Sequence, residues 1–247
     1  MDRIALFHER IHYCQKAVAV ARKLGKLEEA AWLQIDGLGW ALIEENMLAD
    51  ATKEITFGLQ IAEDLARKGI YTGGWTALAN AHLARRYLLE ERLETAAPLI
   101  EKAVSIQCEP VVKRRVLLTA GEFTQKEQDT TKAIEYYIDA INIIKEYESA
   151  EEHYDVCYRL GFAYLAGGEL EKAEAEFNAL TSLTEQLITI EALYGKYGLA
   201  SVAKARGEID NARRFAEEAR NTLSRLHTSH RLRKEIKVFL AGLASHS

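Results

Sequence analysis

"LGFAYLAGGELEKAEAEFNALT", residues 160–181, reads as the second half of one helix, a short polar turn and then a second helix. Two other stretches read the same way: "LGWALIEENMLADATKEITFGL" at 38–59 and "LARRYLLEERLETAAPLIEKAV" at 83–104. An alanine early in the second helix recurs at Ala51, Ala96, Ala133, Ala173 and Ala212, at intervals of 45, 37, 40 and 39 residues. Twelve positions before each alanine stands another small residue: Gly39, Ala84, Gly121, Gly161 and Ala200. Small residues at both places let the two helices of a hairpin approach closely, while larger neighbours fill the seam with the next hairpin. Self-similarity at such a period is the mark of a helical-repeat architecture.

The run Leu160-Gly161, Tyr164, Ala173, Phe177 resembles the tetratricopeptide-repeat (TPR) pattern L-G-x2-Y…A-x3-F. The first copy keeps Leu38-Gly39 and Ala51, and the second keeps Leu83, Tyr87 and Ala96. The copy at "AGEFTQKEQDTTKAIEYYIDAI" keeps Gly121, Ala133, Tyr137 and Ala140. The last copy keeps Leu199, Ala212 and Ala219. Intervals above the 34 residues of the standard repeat imply longer helices. With "YCQKAVAVARKLG" at 13–25, then "IDGLGWALIEENML" at 35–48 and "EITFGLQIAEDL" at 54–65, the chain also resembles the sensor arrays of bacterial STAND-class (NB-ARC/TPR) signalling ATPases. There a nucleotide-switch domain precedes a helical array that detects an inducer.

The composition agrees. Of 247 residues only two are proline, Pro98 and Pro110, and 48% are apolar, so the chain has few forced helix breaks and enough apolar matter to fold. No stretch approaches a membrane span, and "MDRIALFHER" lacks a secretion signal. Cys14, Cys108 and Cys157 are widely separated and odd in number, which fits buried thiols in a reducing cytoplasm. The net charge of −5 argues against a general nucleic-acid binder. Lys196–Lys237 nonetheless carries eleven basic against five acidic residues, so +6 there and −11 elsewhere. A solvated helix face, or a docking surface for an acidic neighbour, would account for it.

These readings predict an all-α fold: a right-handed α-α superhelix, or TPR-like solenoid, of about five helical hairpins with an extra helix at each end. One domain covers 1–247. The first helix spans about Arg3–Leu24 and the last about Ser229–Leu243. Turns fall near Gly25, Asn46, Gly69, Glu91, Gln107, Gln128, Ser149, Gly167, Leu187 and Gly207. The opening helix looks like the second member of a hairpin whose first is missing. That points to a piece of a longer protein, with an N-terminal cap as the alternative.

His8-Glu9-Arg10-Ile11-His12 matches H-E-x-x-H, the zinc-peptidase motif. Its surroundings do not follow. Gln15 and Val18 stand where the extended motif needs glycine and histidine, and only seven residues precede His8, too few for a substrate-holding sheet. Ile4, Phe7, Ile11, Cys14, Val18 and Ala21 make the apolar stripe of this helix, which leaves both histidines on its flank. A zinc hydrolase is therefore the remote alternative. Phosphate-binding loops, dinucleotide fingerprints and nucleophile elbows are absent. No catalytic residue, metal or cofactor is expected.

The TPR resemblance implies that the first helices of the pairs line a concave binding face. Counted along the repeats, the residues expected there include Asp36, Trp40, Glu44, Arg85, Arg115, Glu122, Lys126, Asp155, Tyr158, Phe162, Tyr194, Tyr197 and Lys204. Rings supply apolar area and charges orient a ligand; equally, Trp40, Phe162 and Tyr197 could simply fill seams between repeats. The asparagine-lysine carboxylate clamp of chaperone-binding TPRs is matched only at Asn80, which disfavours a chaperone tail. The expected partner is a protein or peptide. A nucleotide-switch domain of the same protein is the second expected partner, and a free-standing scaffold is the alternative role.

Overall fold

A computed structural model describes residues 7–147, 153–182, 190–226 and 230–244, all of them helix or short connection. The turns expected near Ser149 and Leu187 lie outside these residues. The chain divides into two compact units, one formed by Phe7–Glu148 and the other by the described residues from His153 onward.

In the first unit α1 (Phe7–Lys23) precedes three helix pairs. The first member of the first pair is continuous but mixed: α2 (Leu27–Trp32), a π-helical stretch (Leu33–Gly39) and α3 (Trp40–Glu44). Its partner is α4 (Leu48–Arg67). The other pairs are α5 (Gly73–Leu89) with α6 (Leu93–Ser105), and α7 (Pro110–Lys126) with α8 (Thr130–Tyr147). The second unit pairs α9 (His153–Ala166) with α10 (Leu170–Ser182) and α11 (Ile190–Ala205) with α12 (Ile209–Leu226), then adds α13 (His230–Ala244). This is the all-α helical-repeat fold that the sequence predicts. Among the described residues no helix is long and apolar enough to cross a membrane.

Each of the five pairs is closed by one device. Seven residues after the small residue of the first helix, the chain enters the left-handed region: Asn46 (φ 59°), Glu91 (58°), Gln128 (67°), Gly168 (77°) and Gly207 (80°). The next residue then donates its N–H five residues back: Met47 to Leu42 O, Arg92 to Tyr87 O, Asp129 to Thr124 O, Glu169 to Tyr164 O and Glu208 to Ala203 O, all at 2.8–3.0 Å. This is the Schellman bond, which satisfies a carbonyl stranded at the helix end. Four residues later the repeating alanines close the first turn of the second helix, Ala96 N–H on Arg92 O at 3.1 Å for example. All five alanines are completely buried.

The two helices then interlock. Sixteen positions after the small residue come Ile55, Ile100, Tyr137, Phe177 and Ala216, all buried. A methyl group on Gly161 would lie 2.6 Å from the Phe177 ring, and one on Gly39 or Gly121 would collide with Ile55 or Tyr137. Where the first helix already carries a methyl group, at Ala84 and Ala200, the partner is an aliphatic Ile or Ala and not a ring. Phe177 is trapped from the other side too, because a methyl group on Gly198 of α11 would also strike its ring. Buried Tyr137 donates its hydroxyl to Gln125 Oε1 at 2.8 Å, so its polar tip is satisfied.

Two features differ from the sequence reading. The π-helical stretch was not foreseen; within it Gly37 faces Cys14 Sγ of α1 and Gly39 faces Ile55 of α4, so both sides press closely on its backbone. Of the three thiols only Cys157 is buried, Cys14 and Cys108 being half-exposed.

Replacing Gly161 by Ala gains about 1 kcal/mol of helix propensity, but overpacking against an immobile ring costs about 1–3 kcal/mol. Gly161→Ala is therefore expected to lower the urea midpoint, and Phe177→Leu in the same chain to recover part of the loss. Additive effects of the two changes would contradict the interlock. At exposed Glu91, the left-handed backbone costs a side chain about 1–2 kcal/mol, more than the chain entropy of glycine takes back. Glu91→Gly should raise stability by about 0.5–1 kcal/mol, read by thermal and urea denaturation.

Candidate functional site

The first helices of the first unit lie side by side and turn charged groups toward one another. Asp36 of the π-helical stretch is ion-paired to Arg115 of α7, 79 residues away. His82 of α5 places Nε2 3.9 Å from the same Asp36 oxygen, too far for a hydrogen bond. One turn on, Arg85 of α5 holds Glu44 of α3 at 2.6 Å and approaches Glu122 of α7 at 3.6 Å. Trp40, one turn beyond Asp36, carries the Arg10 guanidinium of α1 over its ring at 4.8 Å. Asp36, Glu44, His82 and Arg85 are all buried. Losing one partner of such a buried pair costs roughly 3–5 kcal/mol, because the other charge is left unpaired.

The electrostatics follow from this packing. Burial pushes the Asp36 carboxyl up, but the pull of His82, Arg115 and Arg10 together outweighs it and holds the group below its ordinary value. Burial pushes the His82 imidazole down, by more than Asp36 raises it, so the ring is neutral at pH 7. Burial likewise raises the Cys14 thiol further than neighbouring Arg10 lowers it, which leaves it a poor nucleophile.

Six of the sequence-selected residues, Asp36, Trp40, Glu44, Arg85, Arg115 and Glu122, thus meet in this cluster. Lys126 lies apart, exposed at the end of α7. His82 and Arg10 escaped the sequence reading, although His82 precedes Arg85 by three residues on the same helix face and that spacing could have flagged it.

In the second unit the selected aromatics form a continuous surface across α9 and α11. Tyr158 packs on Tyr194 (4.3 Å between centroids) and on Phe162 (4.9 Å), and Phe162 on Tyr197 (5.9 Å). Tyr154 stacks on Tyr194, and Tyr197 meets Phe239 of α13; neither Tyr154 nor Phe239 was selected from sequence. Tyr194 and Tyr197 are buried and fill the seam between the first helices, while Tyr154, Tyr158 and Phe162 stay half-exposed. Lys204 sits over the Phe239 ring at 5.2 Å, and Asp155 accepts from Arg159 Nε at 3.1 Å.

The H-E-x-x-H match lies on α1, with Glu9 and His12 exposed and the His8 side chain outside the described residues. Among the described residues no three His, Cys, Asp or Glu side chains are grouped to hold a metal ion.

A tetratricopeptide-repeat family model matches residues 154–187. The chain has the tetratricopeptide-repeat fold. Among solved structures, the array is similar to a signal-transduction ATPase with numerous domains (STAND) with a tetratricopeptide-repeat sensor from Pyrococcus horikoshii. The TM-score is 0.67 at 15% identity, over 96% of this chain and 36% of that one. BtubC from P. vanneervenii gives a TM-score of 0.63 at 17% identity, over 92% and 94% of the two chains. In sequence the array is 30% identical over 199 residues to the transcription activator GutR of Bacillus subtilis. That match takes in 81% of this chain and 24% of GutR, so the array spans about a quarter of that relative.

The two depressed groups imply a pH response. Below the ordinary histidine value of about 6.5, the unfolded chain holds a proton at His82 that the native chain refuses. Stability therefore falls as pH drops from there through the lowered native value. Asp36 acts in a separate window, its stabilisation being lost as pH falls below about 3.9 toward its own lowered native value. In urea denaturation across a pH series, His82→Gln should flatten the upper slope and also shrink the lower one, because His82 is among the groups that hold Asp36 down.

Proposed function

We propose that this chain is a non-catalytic recognition module that receives a protein or peptide on the first helices of its pairs. Within the full-length protein it is the sensing array of a signalling ATPase that acts on transcription in the cytoplasm. The observation that carries the recognition role is the aromatic surface of α9 and α11. Tyr158 and Phe162 are each held by several ring contacts and Tyr154 by its stacking on Tyr194, yet all three remain half-exposed. Rigid, partly exposed rings offer contact area at little entropic cost and are the side chains that dominate binding hot spots. The sensing role is supported by GutR being a transcription activator, and by a STAND ATPase carrying its tetratricopeptide sensor on a similar fold. An attached nucleotide-switch domain is accordingly the second partner.

The test is to capture partners of the full-length protein by crosslinking and to measure the affinity of the one identified. Tyr158→Ala is expected to weaken it by about 2 kcal/mol, roughly thirtyfold, with the helical circular dichroism retained. Wild-type affinity in Tyr158→Ala and Phe162→Ala alike would place the docking surface elsewhere.

A further inference from the structure

We propose that the charged cluster of the first unit is a binding site for a small zwitterion, such as a free amino acid, with its carboxylate on Arg115 and its ammonium on Asp36. The inference stands on other residues than the aromatic surface and goes beyond partner recognition to name a small effector.

Four elements converge on this site: α1 with Arg10, the π-helical stretch and α3 with Asp36 and Trp40, α5 with His82, and α7 with Arg115. His82 is 95% buried (5% exposed), yet its Nε2 has no hydrogen-bond partner. Buried polar atoms are nearly always satisfied, and an orphan beside other polar groups marks a place for a further partner. The Asp36–Arg115 pair also has one accessible end: the Arg115 side chain is 30% exposed and that of Asp36 11%. A ligand can therefore reach the arginine first and the carboxylate behind it.

Charge balance selects the ligand class. Arg115 and Arg10 face Asp36, and Arg85 faces Glu44 and Glu122, so three charges of each sign balance. A simple anion drawn to Arg115 would leave Asp36 without its partner and facing a like charge. A simple cation on Asp36 would strand Arg115 in the same way. Uncompensated charge at a buried site is the costly outcome. A molecule bearing both signs a few bonds apart replaces each half of the ion pair with a matched group, so neither is stranded. It also gives the His82 imidazole a hydrogen-bonding neighbour. Trp40, one turn from Asp36, receives the Arg10 cation on its face, so a ring that attracts cations already borders the site. The π-helical backbone that carries Asp36 adds to the case, since π-turns inside helices concentrate at functional sites.

The experiment is calorimetry and thermal shift on the whole chain with the protein-forming L-amino acids offered one at a time at millimolar concentration. The matching N-acetylated acids, amino-acid amides, polyols and inorganic phosphate serve as comparators. At least one free amino acid is expected to bind and raise the melting temperature, with its single-charge analogues at least about tenfold weaker. Asp36→Asn and Arg115→Gln should each weaken it by about tenfold or more, and Trp40→Leu, which leaves the ion pair intact, should weaken it less. Tyr158→Ala should bind it unchanged, which separates this site from the aromatic surface. Absence of binding by every free amino acid would overturn the proposal, as would equal binding of phosphate, a polyol or a single-charge analogue. If the charge variants fail to fold, the analogue series on the wild-type chain decides.

Discussion

Everything in this fold depends on how closely two helices of a hairpin can approach. The distance is set where a small residue on the first helix faces the side chain sixteen positions later on the second. Gly161 leaves room for the Phe177 ring, and Gly121 for the Tyr137 ring. The short turn between them has a single solution, repeated in every pair: a left-handed residue and a Schellman bond five residues back. The turn fixes the phase of the second helix, and the close approach then holds it there. Neither would suffice alone, because a turn without packing frays and packing without a fixed phase slips.

Once hairpins of this kind stack, their first helices become neighbours within each unit, and the two units use the resulting face differently. In the first unit it carries matched charges, largely buried, which cost desolvation and are held by complementarity. In the second it carries rings that fill the seam on one side and remain half-exposed on the other. One backbone plan thus supports two chemistries, and the difference lies wholly in which side chains the repeating positions carry.

Much of this was legible in the chain. The turns at Gly25, Asn46, Gly69, Glu91, Gln128 and Gly207 fall at residues with positive φ, and the one read at Gly167 is displaced by a single residue to Gly168. Asn and Gly tolerate that conformation, and the polar runs around Glu91 and Gln128 betrayed it where no glycine stood. The π-helical stretch was not legible. Within it Gly37 and Gly39 let α1 and α4 approach the same helix closely, and α1 and α4 flank it in sequence on opposite ends. The partner of Arg115 was hidden as well, since Asp36 lies two hairpins away.

The sequence by itself determined the helices, their pairing and the turn between them, because each rests on residues no more than about sixteen positions apart, within reach of local periodicity. Only the tertiary structure decided which charged groups meet, that His82 Nε2 lies among them without a hydrogen bond, and which rings are buried and which are half-exposed. Those outcomes depend on the register between successive hairpins. That register is set by packing summed over whole helix faces, with repeat intervals that vary from 37 to 45 residues along this chain.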